Sequence, residues 1–170
     1  FNQMFRDIPS FQITANDSPD LSLVSSVNTL YLMFYNSNAG NPDLSSWDVS
    51  GITNLNSAFQ LAHGFNNNSI TNWNISSATN MSNMFYQSTF NGDLSGWDTS
   101  SVTYMISMFS FGGFNNNSIN NWDTSSVISF SNMFGRSNFG NNANLNNWDT
   151  SSATDMQSMF LNCSNFNSDI

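Results

Sequence analysis

Residues 97–121 read WDTSSVTYMISMFSFGGFNNNSINN, and Trp122 starts the same phrase again. The stretch before it, 73–96, reads WNISSATNMSNMFYQSTFNGDLSG, and the one after it, 122–147, reads WDTSSVISFSNMFGRSNFGNNANLNN. Outward from this centre the tryptophans fall at Trp47, Trp73, Trp97, Trp122 and Trp148, spaced by 26, 24, 25 and 26 residues. A second ladder, Phe34, Phe59, Phe85, Phe109, Phe134 and Phe160, is spaced by 25, 26, 24, 25 and 26. Self-similarity at a fixed period of about 20–50 residues marks a repeat array, in which each unit buries its apolar face only against its neighbours. The bland assignment for every Trp, Met and Phe of these ladders is therefore core.

Each unit carries two local patterns. In Leu94-x-x-Trp97-x-Thr99 the Trp and the β-branched residue two places on share one face, as a short strand requires. The frame returns as Leu44/Trp47/Val49, Ile70/Trp73/Ile75, Ile119/Trp122/Thr124 and Leu145/Trp148/Thr150. Val102, Met105, Met108 and Phe109 then form an i, i+3, i+6, i+7 stripe with helical spacing, preceded by Ser100 and Ser101 as caps. The expectation is a repeat solenoid of α/β type with six to seven turns. Each turn of about 25 residues has one short parallel β-strand and one short helical turn. Residues 1–20 form an irregular N-terminal part-repeat that keeps only a Met4-Phe5 and Phe11 echo. Residues 21–170 hold about six repeats, the last one truncated at its C-terminal end.

The L-x-x-W-x-T frame followed by V-x-x-M-x-x-M-F resembles the leucine-rich-repeat frame L-x-x-L-x-L, with Trp and Thr or Val in the later Leu places. More closely, W-D-T-S-S-V-T-x-M-x-x-M-F is similar to the BspA-like leucine-rich-repeat surface proteins. The resemblance covers about Leu21 to Ile170 and is degenerate at Leu21 to Val27, which lacks the Trp. It implies a leucine-rich-repeat-like fold, a secreted or surface-attached setting and adhesive contacts, and it prescribes no catalytic residue.

Composition narrows the functions. The chain has 170 residues, of which 8% are charged, with 11 acidic and two basic residues and a net charge of −9. All the acids are Asp, and the only cations are Arg6 and Arg136. Nothing here neutralises a run of phosphates or binds an anionic bilayer, so nucleic acid and membrane surfaces are poor partners. No apolar stretch approaches the length of a membrane span. The opening Phe1-Asn2-Gln3-Met4-Phe5 lacks an initiator Met and a signal peptide, as expected of a processed or truncated product.

Among polar columns, the residue after each Trp stands out: Asp48, Asn74, Asp98, Asp123 and Asp149. Placed outward on successive rungs, the four carboxylates would repel, titrate high and make the fold more stable in acid. A weakly bound divalent cation between them is the one cofactor the column could hold. The bland alternative is that each Asp accepts backbone or hydroxyl hydrogen bonds at a corner. Asp43, Asp93 and Asp169 read as turn chemistry. Asn66, Asn91, Asn115 and Asn167 follow the repeat Phe and suggest an amide ladder. Glycosylation sequons stand at Asn16, Asn67, Asn74, Asn80, Asn116 and Asn162. The lone His63 lacks a catalytic partner in sequence, and Cys163 occupies a small-residue column with Ala62, Ser88, Gly112 and Ser137.

These features point to a non-enzymatic extracellular or cell-surface protein with a structural or adhesive role. An end-to-end filament subunit is one form of it. The expected partner is a further repeat of the same chain or another copy of it. The alternative is a module that binds a surface protein or glycan through its outward strand face.

Overall fold

The computed structural model describes residues 3–8, 27–38, 40–140 and 144–167. Asn16, Asp169, Ile170 and the degenerate stretch 21–26 lie outside them. Successive units of the repeat stack in register, joined at single parallel bridges: Thr29 to Asn54, Asn54 to Asn80, Asn80 to Tyr104, Tyr104 to Ser129 and Ser129 to Asp155. Each bridge is a pair of backbone bonds. The N–H of Met105 donates to the C=O of Ser129 at 3.1 Å, and that of Ile128 donates back to Thr103 at 3.0 Å. The bridge residue therefore sits six places after the residue that follows Trp, in the V-T-x-M segment. This corrects the expectation of strands at Trp-x-Thr. There the N–H of Trp97 turns back to the C=O of Leu94 (3.2 Å) and that of Val102 to Thr99 (2.9 Å), so L-x-x-W and T-x-x-V close tight turns.

The Met-x-x-Met-Phe segment also departs from its expected form. A helix would send every N–H to the carbonyl four residues back. Here alternate amides diverge. Those of Met105, Ser107, Phe109 and Phe111 donate to Ser129, Ser131, Met133 and Gly135 of the next coil, while those of Met108, Ser110 and Gly112 turn back three residues within their own coil. The backbone manages this by placing every fourth residue in the left-handed region, Ser107 at φ 54° and Phe111 at φ 56°. One such column runs through Leu32, Ser57, Asn83, Ser107, Asn132 and Ser158, and another through Asn36, Leu61, Gln87, Phe111, Arg136 and Asn162. A turn of four residues returns side chains to the same face almost as a helix does, which is why the stripe looked helical. The one assigned helical element among the described residues is a 3₁₀ turn, Asn117–Ile119, capped by the Asn116 side chain.

A left-handed residue other than Gly costs about 1–2 kcal/mol, and two per coil leave an isolated coil unfavourable. Stacking offsets that cost through bonds to the next coil and through continuous aromatic columns. The rings of Phe59, Phe85, Phe109, Phe134 and Phe160 follow one another at 5.6–5.7 Å with interplanar angles of 5–12°. Phe34 precedes Phe59 at 5.0 Å, and Phe5 precedes Phe34 at 5.3 Å. The N-terminal Gln3 to Ile8 segment thus joins the stack in the common register, with Phe5 N–H on Met33 C=O and Asp7 N–H on Tyr35 C=O, both at 2.9 Å. A further column, Phe65, Phe90, Phe114, Phe139 and Phe166, lies beside the first, with pairs such as Phe109 and Phe114 at 4.0 Å.

The tryptophans complete the core. Trp97 and Trp122 stack at 6.2 Å and 5°. Each indole also ties its coil to the one before: Nε1 of Trp73, Trp97, Trp122 and Trp148 donates to the C=O of Leu44, Ile70, Leu94 and Ile119 at 2.8–3.3 Å. Trp47 is buried as well, and its Nε1 has no acceptor among the described residues. Trp73, Trp97 and Trp122 are buried, while Trp148 and Phe160 in the last described coil are half-buried.

Replacing Trp97 with Ala removes a buried ring and strands the Ile70 carbonyl, and should cost about 3–5 kcal/mol. Trp97→Phe, which keeps a ring but loses the N–H, should cost distinctly less. Urea unfolding of both variants measures this, and a Trp97→Ala protein as stable as its parent would remove Trp97 from the core.

Candidate functional site

The expected carboxylate column is present but its chemistry is local. Oδ1 of Asp48, Asp98, Asp123 and Asp149 accepts the N–H of the residue two places on, Ser50, Ser100, Ser125 and Ser151, at 2.9–3.1 Å. Asn74 does the same with Ser76 at 3.2 Å. The hydroxyls of Ser100 and Ser125 add bonds of 2.6 Å to the same oxygens. D-x-S is thus a corner motif in which a short side chain caps a tight turn.

These bonds stabilise the ionised form, so Asp48, Asp98, Asp123 and Asp149 all titrate below the usual carboxylate range. At Asp123 the Ser125 hydroxyl and then its N–H dominate. Burial opposes them, as does repulsion from Asp98 and Asp149, and both are smaller effects. The expectation of raised values is overturned: charge-assisted bonds outweigh repulsion between exposed rungs, and neutral Asn74 interrupts the column. Among the described residues no three His, Cys or Asp side chains converge to hold a metal ion. Asp43 and Asp93 cap turns in the same way, through the N–H of Ser45 and Ser95.

The amide ladder exists in a different form. The N–H of Asn66, Asn91, Asn115 and Gly140 donates to the side-chain oxygen of Asn41, Asn66, Asn91 and Asn115 in the preceding coil, at 2.6–3.2 Å. Each Asn side chain thus replaces a backbone carbonyl as acceptor at a corner where the chain is not extended. The ladder loses its side chain at Gly140, whose φ of 135° and close approach to the Phe166 backbone exclude a Cβ. Asn167 consequently does not continue it.

The sequons differ in availability. Nδ2 of Asn67 donates to the Pro42 C=O at 3.1 Å, and that of Asn116 to Asn91 and Gly92 at 3.2 and 3.4 Å. Glycosylation at either would take one of the two Nδ2 hydrogens on which these bonds between coils draw. Asn80 is half-buried, and its Oδ1 caps Ser82. Asn74 and Asn162 are exposed. His63 is exposed, and its backbone C=O accepts the Thr89 hydroxyl at 2.6 Å. Cys163 is buried, with its thiol on the Phe139 C=O at 2.9 Å and 3.6 Å from the Ser137 hydroxyl; burial pushes its pKa up. It is an inert filler.

Sequence reasoning missed a cluster on the outer side of the left-handed segments. Phe111 is 40% exposed, although its column holds Asn at positions 36 and 162. The Tyr86 ring meets its edge at 5.6 Å and 60°, and the Arg136 guanidinium lies 5.2 Å from its centre. Gln87 Nε2 donates to the Tyr86 hydroxyl at 3.4 Å. The signal was legible as a departure from the column: an aromatic and an arginine in places that favour Asn or Gly.

The chain is a stack of coils in which one backbone pattern and three aromatic columns recur, and it is a repeat protein on that ground alone. It belongs to the family described as Mycoplasma protein of unknown function, DUF285, which it matches over residues 1–117 and again over 87–170. No curated protein and no solved structure matches it. No helix among the described residues is long and apolar enough to cross a membrane.

The lowered Asp values fix the sign of the acid response. A carboxylate with a depressed folded pKa contributes stability that is fully present above its unfolded value, about 3.9, and is lost as pH falls through the folded value. The urea midpoint should therefore be flat from about pH 7 to 5 and decline below about pH 4. Ser100→Ala and Ser125→Ala should shift Asp98 and Asp123 upward in an NMR titration. A midpoint that rose on acidification would restore the repulsive account.

Proposed function

We propose that this chain is part of a non-enzymatic extracellular or cell-surface protein with a structural and adhesive role, built as a leucine-rich-repeat-like solenoid of the BspA-like kind. The observation that carries this reading is how the polar residues are spent. Asp, Asn and Ser side chains that might have served chemistry cap turns and bridge coils, and they recur at each level of the stack. A unique reaction centre needs groups that converge once, whereas a long, regular, largely uncharged surface suits repeated contact with other surfaces. The coil-to-coil contact is generic, so it would serve further repeats of the same chain or a second copy continuing the stack into a filament.

Antibodies against the chain should label intact, unpermeabilised cells of the organism that produces it, and beads coated with the purified chain should attach to surfaces that organism colonises. Labelling that required permeabilisation would overturn the extracellular reading. For the filament form, sedimentation at micromolar concentration should show concentration-dependent growth, and a single monomer boundary would exclude it.

A further inference from the structure

We infer that Tyr86, Phe111 and Arg136 form a binding site for a sugar that bears a carboxylate. The inference rests on the surface role proposed above only in placing the chain where such sugars are met. Phe111 is the starting point. Its left-handed backbone, φ 56°, disfavours a bulky side chain, and its 40% exposure means that burial in the fold does not account for a phenylalanine there. The same column accepts Asn at positions 36 and 162. The exposed ring packs edge-to-face with Tyr86 at 5.6 Å and lies 5.2 Å from the Arg136 guanidinium.

Arg136 is the second observation. It is one of two cations in the chain, and the other, Arg6, is paired with Asp7 at 3.0 Å. No carboxylate lies within salt-bridge range of Arg136 among the described residues. The stretches that carry the three residues, 80–92, 104–121 and 129–147, contain no Asp at all. Arg136 is thus a lone cation among the neutral segments of its own and the two preceding coils, and Asp155 of the next coil accepts from the Ser129 hydroxyl at 3.3 Å. A guanidinium stacked on an aromatic ring keeps its N–H fork in plane for a bidentate carboxylate.

Size and lining favour a sugar over a protein. Three residues on three successive coils, at about 4.8 Å per step, span about 10 Å, the reach of a mono- or disaccharide with its substituents. A stable protein interface takes about 800 Å² per partner. The Tyr86 hydroxyl and the Gln87 amide, already bonded to each other, offer neutral donors and acceptors for sugar hydroxyls beside the exposed part of Phe111.

The test titrates the purified 170-residue chain with 3′-sialyllactose, and with lactose as the neutral counterpart, by NMR. The acidic sugar should bind at least about tenfold more tightly than lactose and shift the amides of Tyr86, Phe111 and Arg136. Arg136→Gln should abolish the preference for the acidic sugar. Phe111→Asn, a residue the column already uses, should weaken both sugars without lowering the urea midpoint. Tyr86→Gln provides the same readout should Phe111→Asn fold poorly. Equal affinity for the two sugars, a preference that survives Arg136→Gln, or shifts confined to other residues would overturn the site. Tighter, Arg136-dependent binding of an acetyl-Asp-Phe-Asp-amide peptide would overturn the sugar in favour of a protein. Surface labelling of cells is independent of all these outcomes, so the site can fail while the surface role stands.

Discussion

Everything in this structure depends on the backbone amides that leave their own coil. In a helix the amides bond within the segment, and in a long strand they bond to neighbouring strands. Here the two uses alternate, residue by residue, through Met105 to Gly112 and its counterparts. The price of that alternation is a left-handed residue at every fourth position, occupied by Ser, Leu, Gln, Phe and Arg as well as Asn. No single coil could sustain it. Each coil is stable because the next one accepts its amides and covers its Phe and Trp rings, which makes folding a property of the stack.

That constraint explains how the polar residues are used. Wherever the chain turns and cannot reach a neighbouring carbonyl, a short side chain stands in: Asp at the D-x-S corner, Asn in the ladder from Asn41 to Asn115, and Thr hydroxyls that donate to the adjacent coil, as Thr103 does to Thr79 at 2.9 Å. A composition rich in Asn and Ser and poor in charge is what such a corner-dense backbone requires. The carboxylates that looked like a ligand column belong to this scheme. Their low pKa values follow from hydroxyl and amide donors two residues away.

Much of the fold was legible in the sequence, and the misreadings have a common origin. The Trp and Phe spacings place the core rungs, and the structure stacks those same rings. The local conformation was misjudged because two backbones generate the same pattern. Val102, Met105, Met108 and Phe109 share a face in a helix, and they also do so in consecutive four-residue turns, where the left-handed Ser107 gives no strong sign of itself. Leu94 and Trp97 read as strand neighbours but close a turn. The Asp column was misjudged because the expectation weighed repulsion between rungs and not the Ser two places on. The Phe111 cluster was hidden by the regularity around it: one aromatic among many attracts no notice until its column is known to face solvent.

The central claim is that the amides of the Met-x-x-Met-Phe segments bond between coils. Scalar couplings across hydrogen bonds, measured by NMR on the isotopically labelled chain, test it most directly. The account predicts a coupling between the amide nitrogen of Phe109 and the carbonyl carbon of Met133, matching the 2.9 Å bond between them, and another between Ser107 and Ser131. A coupling from Phe109 to the carbonyl of Met105, the helical partner four residues back, would contradict it.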